Sequence, residues 1–375
     1  MFFRLNADGS QQTISLEGTF GGPFGSACWL IGGGPSLQES DWQGISASPI
    51  PKLGINLAGS GFFRPTFWTG YDPSARFHRS VYLDPGIMKF VHRRRGMDLV
   101  PETSFKVCDC PNTYFFEGDR SRGFADFVSQ RHQSLVDWAD TMVQGIDLLF
   151  HLGFRRIYLA GCEMRVTPTE LQREAAARKG VLWSDHTRLS EFLTACEKQG
   201  LTAAMLDEIE EVSPYHFDER KSIRGAANTD SHYFRVAQYL RLSRRGMALA
   251  GLQLVSVTPH SRLNDYFPVM DTADALEEIL QQVGDPQGET TRGRYRLAGP
   301  RVPQERGPMR DFRPLNWNEN GVTRPEPNQL QGNLPQKDDD LIVEAEGLER
   351  AMPGPVLQRE LSRRLDRPAE IVEEG

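Results

Sequence analysis

Residues 28–38 read CWLIGGGPSLQ, a short apolar run followed at once by Gly32, Gly33, Gly34, Pro35 and Ser36. An apolar run of this length bounded by a glycine turn predicts a buried strand feeding a helix. Working outward, the same grammar recurs. Strands are predicted over ACWLIGG (27–33), LGINLAG (53–59), PTFWTGYDP (65–73), SVYLDPG (80–86) and FKVCDCP (105–111). A long amphipathic helix is predicted over 129–153, where Leu135, Trp138, Met142, Ile146 and Leu149 recur at spacings of three and four, with Gly153 as its stop. RRIYLAG then supplies a strand. SDHTRLSEFLTACEKQG supplies a helix with a Ser/Asp cap, a buried face of Leu189, Phe192, Leu193 and Cys196, and a stop at Gly200. NTDSHYFRVAQYLRLSRRG repeats the pattern with Thr229 as cap and Gly246 as stop, and LQLVSVTP (252–259) is the last strong strand. Strands separated by helices predict parallel pairing through right-handed crossovers. The expected fold is α/β, a Rossmann-like open, mostly parallel sheet with helices on both faces.

The chain's texture divides it into an N-terminal segment (1–25), the sheet domain (26–270), a short helix (271–284) and a Pro/Arg-rich extension (285–375). The extension is too polar and aperiodic to offset its ordering entropy, and is expected to be a largely disordered tail. With 43 basic against 50 acidic residues and a net charge of −7, a broad positive surface for nucleic acid is not expected. Five cysteines without a regular framework fit a reducing compartment, and no run of about 18 apolar residues occurs. The expectation is a cytoplasmic protein with no membrane span.

In a parallel sheet, ligands gather at the carboxyl ends of the strands, where a glycine turn presents backbone N–H groups to a phosphate. The turn lacks the Gly-Lys-Ser/Thr of a P-loop, and Leu37 stands where a third glycine of Gly-x-Gly-x-x-Gly would be. Taken alone, such a turn is as often structural as phosphate-binding.

The ordered set IGGGPSL, INLAG, YDPS, LGFRRIYLAGCEM, NTD and VSVTPHSRL resembles the bacterial sialyltransferases that use CMP-sialic acid. It is also similar to the domain of unknown function 115, whose members include 6-hydroxymethylpterin diphosphokinases. The resemblance covers roughly residues 27–268. It implies nucleotide binding by Gly32, Gly33, Gly34, Pro35, Ser36 and Asn56. Asp72 stands where the family has an amide, and Thr141 with Met142 where it has Ser-Gly. Gly225, in RGAANTD, takes the place of the family's general-base histidine, and Arg165, in GCEMR, that of the tyrosine that assists the departing phosphate. Arginine suits that role because it neutralises phosphate with paired donors. His186, His216, His232 and His260 are the candidate replacement bases. His260 is preferred because TPHSRL follows the last strand, with Ser261 as a further nucleotide donor.

Other groupings are weaker. Cys108 and Cys110 lack a second pair for zinc, Asp137 and Asp140 are three apart and could flank a metal, and HRRRG (92–96) could frame an anion or be a solvated loop. The expected function is metal-independent transfer from a nucleotide-activated sugar, CMP-linked as the resemblance implies, to an unidentified glycan or other acceptor, with no other cofactor. A non-catalytic binding or assembly protein on the same fold, and a metal-dependent diphosphotransferase, are the alternatives.

Overall fold

The computed structural model describes residues 1–6, 8–21, 26–58, 64–212 and 220–283. The predicted tail and His216 lie outside these residues. The chain opens with strands β1 (Phe2–Leu5) and β2 (Gln11–Ile14), followed by β3 (Ser26–Ile31), α1 (Trp42–Ala47), β4 (Lys52–Ile55) and β5 (Phe67–Gly70). Next come α2 (Arg79–Leu83), β6 (Met88–His92), β7 (Thr113–Phe116), β8 (Gly118–Asp119), β9 (Leu135–Val136), α3 (Thr141–Leu152) and β10 (Phe154–Ala160). Helices α4 (Glu170–Ala177), α5 (Leu189–Lys198), α6 (Ala203–Ile209) and α7 (Ile223–Leu249) precede β11 (Gln253–Ser256) and α8 (Thr272–Val283).

The result is an α/β architecture around a nine-stranded sheet in the order β11-β10-β3-β4-β5-β6-β7-β1-β2. The seven strands from β11 to β7 pair in parallel, and the β1–β2 hairpin adds an antiparallel edge. Residues 1–14 therefore extend the sheet. Adjacent residues of one strand enter different clusters: Phe67, Phe90 and Phe116 join the larger core, while Trp68, Val91 and Phe115 join the smaller. Both faces are thus covered, as a buried parallel sheet requires. A third cluster, including Ala176, Leu189, Phe192, Cys196, Leu206 and Ile223, packs α4 to α6 against the start of α7. No helix among the described residues is long and apolar enough to cross a membrane.

Several predicted elements differ. SVYLDPG holds the helix α2 instead of a strand, because a short apolar run carries no period that separates the two. FKVCDCP holds a 3-10 turn at 107–109, where the Asp109 carboxylate accepts from Lys106 N–H at 3.0 Å and offers the backbone a local alternative to pairing. The strands there are instead β6 and β7. Lys89 interrupts the apolar run of β6, yet it is fully buried, with its Nζ donating to the Asp84 carbonyl at 2.7 Å and its pKa lowered to about 7 by burial.

The long helix begins only at Thr141, capped by Asp140 accepting from Val143 N–H at 2.9 Å. Leu135 belongs instead to β9, which pairs with β8. Gly153, at φ 111°, ends the helix as expected. All twelve residues of α3 are buried rather than one face. Its polar side chains are used inside: Gln144 donates to Thr69 Oγ1 at 2.7 Å, and Asp147 pairs with Arg122. Helix α5 follows Arg188 rather than a Ser/Asp cap. Helix α7 is capped by Ser222, and Thr229 lies inside it, its hydroxyl donating to the Gly225 carbonyl at 3.1 Å.

Candidate active site at the carboxyl edge

After β7 the chain returns to the other side of β3, so strand order reverses between β3 and β10. That is the switch point at which parallel sheets open a crevice. Here the turns following the two strands lock together: Gly32 N–H donates to the Ala160 carbonyl at 2.8 Å, and Gly34 N–H to the Gly161 carbonyl at 2.9 Å. A Cβ on Gly32 would lie 2.2 Å from the Gly161 carbonyl oxygen, and Gly161 itself has φ 63°. Gly33 is half-buried between its neighbours.

Glu163 completes the arrangement. Its Oε1 accepts from Ser36 N–H at 2.7 Å, and a Cβ on Gly34 would sit 1.4 Å from Oε2. Burial pushes the Glu163 carboxyl above the usual range, against the pull of the Ser36 hydrogen bond. The turn therefore holds a carboxyl group of the chain's own. Pro35 starts a four-residue 3-10 turn, and α1 begins only at Trp42, so no α-helix starts directly on Gly32–Gly34. Two of the three glycines have an intramolecular reason.

Next along the edge, Asn56 follows β4 with φ 54°, a conformation asparagine tolerates better than most residues. Its carbonyl accepts from Trp68 Nε1 at 2.8 Å, and its Oδ1 accepts from Thr141 Oγ1 at 3.0 Å. Asn56 and Thr141, far apart in sequence, are thus brought into one pair. Asp140 precedes Thr141 and uses both oxygens: Oδ1 caps α3, and Oδ2 meets His232 Nε2 from α7 at 3.1 Å. Trp138 lies against the imidazole, with ring centroids 6.4 Å apart. The His232 side chain is 26 % exposed, and among the described residues its Nδ1 has no hydrogen-bond partner. A carboxylate on Nε2 selects the tautomer that leaves the Nδ1 lone pair free to accept a proton. Sequence reasoning counted His232 among four candidates; its signals were its place just after Asn-Thr-Asp and the capping Asp140.

The other predicted residues fall elsewhere. His260, at φ 54°, is exposed and makes no hydrogen bond among the described residues. His186 is exposed as well. The Ser261 hydroxyl donates to the Cys162 carbonyl at 2.7 Å and accepts from Leu263 N–H at 3.1 Å, tying the β11 loop to the β10 loop. Asp230, of the Asn-Thr-Asp run, is fully buried and accepts from Val166 N–H, Leu189 N–H and Arg262 Nη2 at 2.9, 3.0 and 3.0 Å. Arg165 is buried beside Asp185 at 3.5 Å with its Nε unpartnered, and burial, then Arg262, lowers its pKa. Asp72 pairs with Arg76 at 3.3 Å.

Farther along, His92 ends β6. Its Nδ1 accepts from Arg94 N–H at 3.1 Å, and burial lowers its pKa to about 4. A histidine neutral in the fold but titrating near 6.5 when unfolded costs stability as pH falls from 6.5 to about 4. His92→Gln should therefore gain stability over the parent across that window, by up to roughly 3 kcal/mol. Urea melts of both proteins at pH 7, 6, 5 and 4.5 check this; a difference independent of pH would show that folding does not shift the titration of His92.

Asp137 accepts from Arg120 Nε at 2.9 Å, while Asp140 is committed to His232, so the two carboxylates face different partners. Cys108 and Cys110 are buried free thiols, and no group of three or more His, Cys, Asp or Glu side chains is placed to hold a metal among the described residues. Comparison of the chain with protein-family models, with curated proteins and with solved structures gave no match in any of the three.

Proposed function

We propose that the protein is a glycosyltransferase-like enzyme that takes a nucleotide-activated sugar, CMP-linked in the manner of the family it resembles, at the carboxyl edge of the sheet. The observation that carries this reading is the His232–Asp140 pair standing beside Asn56 and Thr141 at the strand ends. A carboxylate-oriented imidazole is the unit that general-base transfer to a hydroxyl requires. His232 Nδ1 takes the proton of the acceptor hydroxyl, whose oxygen bonds to the sugar's anomeric carbon. The bond from that carbon to the phosphate oxygen breaks, and its electron pair leaves with the nucleotide. Arg165, with its unpartnered Nε, is assigned to the departing phosphate. Glu163 changes the part given to the glycine turn. A carboxyl group there takes the space a phosphate would need but accepts from hydroxyls, so the turn suits a ribose diol, with Asn56 supplying its amide.

A second reading follows from the same carboxylate. If Glu163 is the turn's permanent occupant, the fold is a binding or assembly module without a nucleotide. A thermal-shift screen against CMP, CDP, UDP, GDP, ATP and CMP-sialic acid, with and without magnesium, separates the readings, because only a ligand that prefers the folded state raises the midpoint. The expected result is a magnesium-independent shift with cytidine nucleotides that is lost in Asn56→Gly, a substitution that keeps the left-handed backbone while removing the amide. No shift with any nucleotide favours the binding module. A magnesium-dependent ATP shift favours diphosphate transfer.

A further inference from the structure

A cavity of about 280 Å³ opens across the starts of neighbouring strands, just under the range of roughly 300–1,000 Å³ typical of small-molecule sites. Among its lining residues, Lys52, Phe67 and Met88 are the first residues of β4, β5 and β6, and Asn112 directly precedes β7. The cavity therefore lies on the amino edge of the sheet, opposite the edge that carries His232. Most of its lining is apolar, with Phe20, Ile50, Phe67 and Met88 among three prolines. Lys52 and Thr66 line it too, and they stand side by side. Thr66 N–H donates to the Lys52 carbonyl at 2.9 Å, and Lys52 N–H donates to Thr66 Oγ1 at 3.2 Å. The threonine hydroxyl, an acceptor in that bond, keeps its own proton to donate.

Lys52 is unlike the other buried cations. Arg122 and Arg262 each meet a carboxylate, Asp147 and Asp230, and Lys89 lies in the field of Asp84. Lys52, only 8 % exposed, meets no carboxylate among the described residues. Its Nζ donates to the carbonyls of Ser48 and Ile50, which uses two of its three N–H groups. The titratable group that acts on it is the Cys28 thiol of β3, which burial keeps protonated, and burial lowers the ammonium itself to about 8. A cation withdrawn from water without a counter-charge is costly, and a carboxylate brought to it offsets that cost.

We infer that this cavity binds a small monocarboxylic acid with an apolar body, the carboxylate on the Lys52 ammonium and the Thr66 hydroxyl and the body against Phe67 and Met88. Two donors match the two oxygens of one carboxylate. The mostly apolar lining beyond them selects against sugars and nucleotides. The site is separate from the proposed transfer site and does not depend on that reading.

The test is saturation-transfer NMR on the full chain with phenylacetate, phenylacetamide and acetate, in the parent, Lys52→Met and Thr66→Val. Expected are saturable phenylacetate binding at pH 7, at least tenfold weaker binding of the uncharged amide and of acetate, which lacks the body, and at least a tenfold loss of phenylacetate affinity in Lys52→Met. Thr66→Val, at an exposed position, should weaken binding about threefold. Circular dichroism shows whether each variant folds. If Lys52→Met does not, the parent alone decides: phenylacetate stays ionised above pH 7, so its affinity should fall about tenfold per pH unit once the ammonium loses its proton above about pH 8. Affinity that is flat from pH 7 to 9.5 overturns the part given to the ammonium. No phenylacetate binding, equal binding of phenylacetamide, or unchanged binding in a folded Lys52→Met overturns the site. Equal binding of acetate overturns the apolar body.

Discussion

Gly32→Ala should be among the most damaging single methyl additions to this chain, lowering the melting midpoint by about 10 °C or preventing folding. The added Cβ would stand 2.2 Å from the Gly161 carbonyl oxygen and 2.9 Å from Cys162 Sγ. Backbone cannot swing aside as a side-chain tip can, and moving it would break the paired hydrogen bonds between the two turns. The expected cost is about 4 kcal/mol or more, in the range of severe core strain. Gly34→Ala provides the control. There the obstacle is the Glu163 carboxylate, so the cost should be smaller, about 2 kcal/mol, and Glu163→Ala in the same chain should recover most of it. Chemical denaturation of the two single variants and the double variant gives the coupling directly. A Gly32→Ala protein that melts with the parent would mean the two turns are not locked as described.

His232→Ala is the second large effect, and it falls on chemistry rather than folding. Under the transferase reading it should lower turnover by a factor of 10² to 10⁴ while leaving nucleotide binding within about twofold, because a general base acts only in the transition state. Asp140→Asn should lose less, since the amide still caps α3 through its oxygen but no longer stabilises the imidazolium. Nucleotide affinity and a melting midpoint that stay with the parent's distinguish this from structural damage. A variant that turns over at the parent's rate would leave the dyad a structural hydrogen bond. His260→Ala, by contrast, should be silent, as an exposed side chain with no partner among the described residues.

The strands that were legible are those buried on both faces. Trp29, Leu30 and Ile31 in β3, and Ile157, Tyr158 and Leu159 in β10, form continuous apolar runs ending in glycine, and that signal is local. Where the run was mixed, the reading failed for identifiable reasons. Lys89 hid β6 because nothing local announces that its ammonium will be tied to the Asp84 carbonyl. The spacing of Leu135, Trp138 and Met142 imitated a helix although Leu135 pairs in a strand and Asp140 starts the true helix.

For the site, the sequence by itself determined the candidates: the glycine turn after β3, Asn56 after β4 and a small set of histidines. The first two, and His260 among the histidines, follow strand ends, which apolar runs and glycines mark locally. Which of them meet was decided only by tertiary structure. Thr141 Oγ1 reaches Asn56 across 85 residues, His232 reaches Asp140 across 92, and Glu163 reaches Ser36 across 127. Such contacts depend on the order in which strands join the sheet. The reversal between β3 and β10 places the Glu163 carboxylate in the turn that reads, by sequence, as a seat for phosphate. No local period encodes that order, because it is chosen by how the apolar faces of whole elements pack together.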